Sequence, residues 1–117
     1  MTVAGGTADP AGALGLVGLA RRAGSLAAGV PATREALRGG RARLVLTAGD
    51  AAPGQVIKVE KVLGPVPRRV LGSRASLGEA LGMAPVTAVA VTDRGMAEAI
   101  LRRLDEPGSA GRSGMSG

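Results

Sequence analysis

The chain has 117 residues, 45% of them hydrophobic, and a formal net charge of +6, with no aromatic, cysteine or histidine residue. That length suits one domain with a core of Val, Leu, Ile, Ala and Met. The composition excludes disulfides, thiolate and imidazole metal sites, catalytic dyads built on His or Cys, and base stacking on aromatic rings.

The basic excess points to nucleic acid or another anionic surface. Only Lys58 and Lys61 are lysines. Arginine suits bidentate phosphate and guanine contacts better than lysine does, although GC-rich coding also enriches Arg, Gly and Ala. The longest apolar run, "APVTAVAVT", is far too short to span a membrane. The N-terminus lacks the basic-then-apolar pattern of a secretory signal. A cytoplasmic location is expected.

In chain order, the first segment is Gly- and Pro-containing and carries little to bury, so residues 1–10 are expected to be a disordered tail. "AGALGLVGLARRAG" places Ala13, Leu16, Val17 and Ala20 at helical spacing, with Arg21 and Arg22 in the last turn and Gly24 as the stop. A short extended piece at residues 26–28 follows. "AAGVPATREALRGG" then reads as a helix entered through Gly29 and Pro31 and ended by Gly39 and Gly40. "ARLVLTA" is a continuous β-favouring run and should be a buried central strand.

Next, "GQVIKVEKVLG" marks a helix whose inner face is Val56, Ile57, Val59 and Leu63. "VPRRVL" is a strand at a sheet edge, because Pro67 lacks a ladder donor. Ser73 can cap "RASLGEALG", with Ser76 and Glu79 as a competing capping box. "VTAVAVT" is the second buried strand. Thr92 or Asp93 caps "RGMAEAILRRL". Residues 105–117 form a second expected disordered tail. Regular alternation of helix and strand over residues 11–104 predicts an α/β fold, a three-layer α/β/α sandwich around one sheet.

Little in the chain can carry catalysis. Asp50 and Asp93 follow the two most buried strands, where open α/β sheets place ligands, but each also precedes a helix and suits an N-cap. "GGTADPAG" lacks the GK[ST] ending of a phosphate loop, and "GLVGLARRAG" has its glycines at helical spacing. The sequence therefore points to a binding protein rather than an enzyme, with no cofactor or metal. Arg34, Arg38, Arg41 and Arg43 around the second helix, and Arg68, Arg69 and Arg74 around the third strand, are its remaining signal.

Taken together, "LGLVGLARRAGSLAAG", "EALRGGRARLVLTAGDAA", "VLGSRASLGEALG" and "VAVTDRGMAEAIL" resemble the superfamily of kink-turn RNA-binding ribosomal proteins of the L-seven-Ae and L-thirty-e type, in its bacterial YlxQ-like branch. The resemblance covers residues 14–104. It implies a mixed four-stranded sheet, and a sharply bent RNA held by residues 25–29, 30–38 and 83–87. The RNA-binding positions it assigns are Gly29, Val30, Pro31, Ala32, Arg34, Arg38, Ala84, Pro85 and Val86. Exposed amides at a helix start attract phosphate, and a small apolar loop covers an unstacked base.

The chain departs from the family pattern within this region. RNA-binding members commonly carry Asn or Lys at the position of Pro31, Glu or Gln at Ala32, Lys at Glu35 and often Lys at Ser25. Pro31 and Ala32 offer no polar side chain, and Glu35 reverses a charge. Arg34 and Arg38 remain as phosphate contacts, which position RNA without specifying its sequence.

The resemblance implies a small RNA-binding or ribosome-associated protein with relaxed kink-turn recognition, partnered by structured RNA such as ribosomal RNA and by a ribosomal or translation-related protein. The alternative is a protein-interaction module of the same fold that has lost RNA affinity. A third reading is the detached RNA-recognition domain of a ribose methyltransferase; a bound methyl-donor cofactor would favour an enzyme.

Overall fold

The computed structural model describes residues 8–105. Residues 1–7 and 106–117, most of the two expected tails, lie outside the described residues. Nine elements alternate: α1 (Pro10–Arg22), β1 (Leu26–Ala28), α2 (Val30–Arg38), β2 (Leu44–Thr47), α3 (Pro53–Glu60), β3 (Arg68–Val70), α4 (Arg74–Leu81), β4 (Ala88–Val91) and α5 (Arg94–Asp105). The strands form one mixed sheet in the order β1-β4-β2-β3. β4 is antiparallel to both β1 and β2, whereas β2 and β3 are parallel.

β2 and β4 are buried at every position because both faces of the sheet are covered. The period-two alternation of a strand divides their side chains between two cores. Leu44, Leu46, Val89 and Val91 pack with Ala13 and Val17 of α1, Leu77 and Leu81 of α4, and Ala97 and Ile100 of α5. Val45, Ala88 and Ala90 face Val30 and Ala36 of α2 and Val59 of α3. Three helices thus cover the face with the larger side chains, and two cover the other, giving the expected three layers. β3 lies at a sheet edge, as Pro67 predicts.

Several local expectations are corrected. The first helix begins at Pro10, and Asp9, assigned to the tail, caps it through the N–H of Gly12 at 3.0 Å and pairs with Arg103 at 2.7 Å. Asp105 likewise belongs to α5 and pairs with Arg69 at 2.8 Å. Ser73 caps α4 as expected, and Ser76, instead of opening a competing box with Glu79, is its reciprocal partner inside the helix. Ile57 is half exposed; the inward face of α3 is carried by Val59.

Asp93 caps α5, accepting from the N–H of Met96 at 2.8 Å. Asp50 does not cap the helix that follows it. It accepts instead from the N–H of Arg74, at the start of α4, at 2.8 Å.

Candidate nucleic-acid interface

Strand direction decides which residues meet. β1, β2 and β3 run the same way and each feeds a helix, so the starts of α2, α3 and α4 share one end of the sheet, called here the near end. β4 runs the other way. Its preceding loop therefore lies at the near end, and Asp93 at the far end. Asp50 and Asp93, paired in the sequence by their position after a strand, are separated by the length of the sheet.

The starts of α2 and α3 both lack a side-chain cap, and that of α2 stands beside the loop before β4. Gly29 is the N-cap of α2, with φ of 99° and ψ of 157°, and no side chain caps the turn. That backbone geometry suits glycine and strains any other residue. The Gly29 N–H donates to the Ala88 carbonyl at 2.8 Å, and the Gly29 carbonyl accepts from the N–H of Thr33 at 2.9 Å. Pro31 has no N–H. The amides of Val30 and Ala32 consequently have no partner among the described residues, and they point outward at the positive end of the helix dipole. At α4, by contrast, Ser73, Ser76 and Asp50 occupy the equivalent donors.

The loop at residues 83–87 stands beside this helix start. Ala48 donates to the Thr87 carbonyl at 2.9 Å, and Gly29 bonds to Ala88, the next residue. Met83, Ala84 and Pro85 are exposed. The loop is held from beneath by Gly78 of α4: a Cβ there would collide with the carbonyl oxygen of Ala84 and lie 2.9 Å from that of Met83. Gly82, with φ of 68°, ends α4 in the left-handed conformation and turns the chain into the loop. Gly78, which nothing in the sequence singled out, and Arg74, expected only as a basic residue and whose carbonyl accepts from Val86 at 3.0 Å, position the loop. A buried glycine among the small residues of a helix gives no signal without its neighbour in space.

The structure brings most of the expected site residues together and removes some side chains from it. Gly29, Pro31, Ala32, Ala84 and Pro85 present backbone or small apolar groups at the near end. Val30 is 9% and Val86 5% exposed, and both side chains point into the cores. Only their backbones are available to a ligand, because alternation in and beside the strands turns them inward.

Arg34 is half buried, and its Nε, like the buried hydroxyl of Thr33, has no hydrogen-bond partner among the described residues. Arg38 stands in the last turn of α2, about 10 Å along the helix axis from Pro31 at 1.5 Å per residue. It belongs with the far end, not with the helix start.

Carboxylates hold three of the other cations placed at or near this end, while Arg102, in the last turn of α5, has no carboxylate partner among the described residues. Arg74 pairs with Asp50 at 3.5 Å, Arg69 with Asp105 and Arg103 with Asp9. Backbone donation from Arg74 holds the Asp50 carboxyl below its ordinary range, with the Arg74 charge adding to it. Asp105 is lowered by the Arg69 guanidinium. The interface therefore offers free amides and an apolar loop rather than an open field of positive charge. Among the described residues no group of His, Cys, Asp and Glu is arranged to hold a metal ion, and no helix is long and apolar enough to cross a membrane.

Residues 13–101 match the model of the Ribosomal protein L7Ae/L30e/S12e/Gadd45 family. The chain belongs to that family. Among its relatives is the RNA-binding protein YlxQ of Bacillus subtilis (strain 168), 37% identical over 92 residues, which cover 77% of this chain and 92% of the relative. A protein of unknown function from Bacillus halodurans has a similar solved structure, with a TM-score of 0.76 and 31% identity over 80% of this chain and 97% of that one. The 15.5kD RNA binding protein of Giardia lamblia shares the fold, with a TM-score of 0.63 and 23% identity over 78% and 82% of the two chains. The family match spans both the start of α2 and the loop before β4.

Proposed function

We propose that this protein binds structured RNA at the near end, and that it discriminates a kink-turn from other RNA less sharply than polar readers at the same positions would. It acts as a binding protein, not an enzyme. The observation that carries the reading is the uncapped start of α2, where the Val30 and Ala32 amides stand free beside the exposed loop of Met83, Ala84 and Pro85. The likeness to YlxQ, described as an RNA-binding protein, supports it.

Backbone amides attract phosphate whatever the sequence, and Pro31 and Ala32 add no base-reading side chain. Ribosomal RNA and a translation-related protein partner fit this reading. The exposed apolar loop also suits a protein-interaction module, the second reading.

The test is a titration with a kink-turn RNA and with an RNA of the same stems whose internal loop does not kink, over a salt series. Affinities within about tenfold of each other are expected, falling roughly linearly on a log–log plot against salt. Pro31→Asn with Ala32→Glu and Glu35→Lys should raise the preference for the kink-turn. Tight, salt-insensitive binding to the kink-turn alone would contradict relaxed recognition. Failure to bind either RNA at low salt would favour the protein-interaction reading.

A further inference from the structure

Six of the cations without a carboxylate partner lie at the end of the sheet opposite the interface just described, whereas Arg34, Lys58, Lys61 and Arg102, also without one, lie elsewhere on α2, α3 and α5 or just after α3. Arg21 and Arg22 end α1, Arg38 ends α2, Arg41 and Arg43 precede β2, and Arg94 opens α5. All six are exposed, and none forms an ion pair among the described residues.

Backbone bonds tie their segments together. Arg43 donates to the Val91 carbonyl at 2.7 Å, Thr92 to Ser25 at 2.9 Å, and Ser25 to Ala20 at 2.8 Å. The end of α1, the start of β2 and the start of α5 are thereby held together at one edge of the sheet.

Part of this charge has a local reason. Arg21, Arg22 and Arg38 occupy last turns, where cations offset the helix dipole. The Arg41 guanidinium lies over Gly39 at the end of α2. Arg43 and Arg94 have no such reason. Arg43 stands ahead of a strand, and Arg94 is the first residue of α5, where a cation opposes the dipole. The acidic side chains nearby are Asp93, engaged in capping Met96, Glu79, beside Arg22 in the shallow groove between α1 and α4, Glu98, one turn after Arg94, and Glu35, one turn before Arg38; neither Glu98 nor Glu35 forms an ion pair among the described residues.

We propose that this far end is a second nucleic-acid surface, which takes the phosphate backbone of an RNA duplex, so that the protein bridges two RNA segments from opposite ends. The inference rests on the RNA-binding reading above. The chemistry fits a duplex backbone: exposed arginines and no aromatic side chain to stack an unpaired base. Phosphate contacts there give affinity and orientation without sequence preference.

The experiment uses the full chain, a donor-labelled kink-turn RNA and an acceptor-labelled blunt, straight RNA duplex. Energy transfer between the two RNAs reads bridging, and separate titrations over a salt series read each affinity. The unmodified protein should bring the RNAs together. Arg43→Glu with Arg94→Glu should abolish the transfer, weaken the straight duplex at least about tenfold and flatten its salt slope by about 1–2, leaving the kink-turn affinity within about threefold. Removing the cation from the start of α5 favours the helix, so this variant should fold. Arg43→Ala with Arg94→Ala should give a smaller loss in the same direction.

Ala84→Glu, in the near-end loop, should weaken the kink-turn and spare the straight duplex. If the straight duplex binds and responds to Arg43 and Arg94 while the kink-turn does not bind at all, the near-end reading fails and the far-end surface stands. A straight duplex that binds the charge-reversed protein as well as the unmodified one overturns the inference. So does stronger binding of polyglutamate than of duplex to the far end, which would assign the surface to an acidic protein.

Discussion

The two ends of the sheet are built on different principles. At the near end, backbone geometry makes the surface: a glycine with positive φ, two free amides, and a loop seated on another glycine. Arg69, Arg74 and Arg103 there are held by carboxylates, and Arg34 is half buried. At the far end the turns also use positive-φ glycines, Gly24 and Gly40, but exposed arginines without carboxylate partners supply the surface. Charge counting alone would have chosen the far end, and helix-start geometry alone the near end. A protein this small has room for both because α/β topology puts helix starts and helix ends on opposite edges.

If that contrast is right, near-end variants should alter stability and far-end variants should alter only binding. The largest effect is expected for Gly78→Leu. The new side chain meets the Ala84 backbone, which cannot yield as a flexible side chain would. Overpacking of this kind costs about 1–3 kcal/mol and occasionally more. A urea titration should show the midpoint fall, while Arg43→Glu with Arg94→Glu leaves it in place. Unchanged stability in Gly78→Leu would mean that the loop is not seated on α4.

Gly29→Val should follow, at about 1–3 kcal/mol, because a β-branched residue is strained at this positive φ. It should also lose RNA affinity by displacing the Val30 amide. If stability falls with affinity intact, the helix start is a structural device only.

Thr33→Val should act in the opposite direction. The hydroxyl is fully buried without a partner among the described residues, so an apolar replacement of the same shape is expected to stabilise by about 1 kcal/mol. Destabilisation, measured by thermal unfolding, would reveal a hydrogen bond made through that hydroxyl.

The smallest effect is acid sensitivity. Asp9, Asp50 and Asp105 are all depressed below the ordinary value of about 3.9, the first two chiefly by backbone donation from Gly12 and Arg74, the third by Arg69. Depressed carboxylates stabilise the fold above their unfolded value, and that contribution is lost as pH falls through the folded value. Stability should therefore be flat above about pH 5 and decline below about pH 4. Removing Asp50 with Asp9 should shrink the decline; an unchanged profile would show these pairs to be too exposed to matter.

Much of the fold was legible because its signals are local. The runs containing Leu44–Thr47 and Ala88–Val91 had the composition of buried strands, and Gly29 with Pro31 announced a helix start. The site was legible only as a set of segments. Which residue of a pair such as Ala84 and Val86 faces out depends on how the loop enters β4, and Val86 proved to be core. Asp50 and Asp93 had the same local context, yet one steadies α4 at the near end and the other caps α5 at the far end.

By itself, then, the sequence determined the order and type of the elements, a core without aromatic rings and an excess of arginine, because propensity, periodicity and charge belong to short stretches of chain. Only the tertiary structure decided strand direction. That direction sent the loop before β4 to the start of α2, brought Gly78 beneath Ala84, and collected Arg21, Arg43 and Arg94 on the opposite edge. Such contacts join residues distant in the chain, and the free energy that selects them comes from packing both faces of one sheet at once.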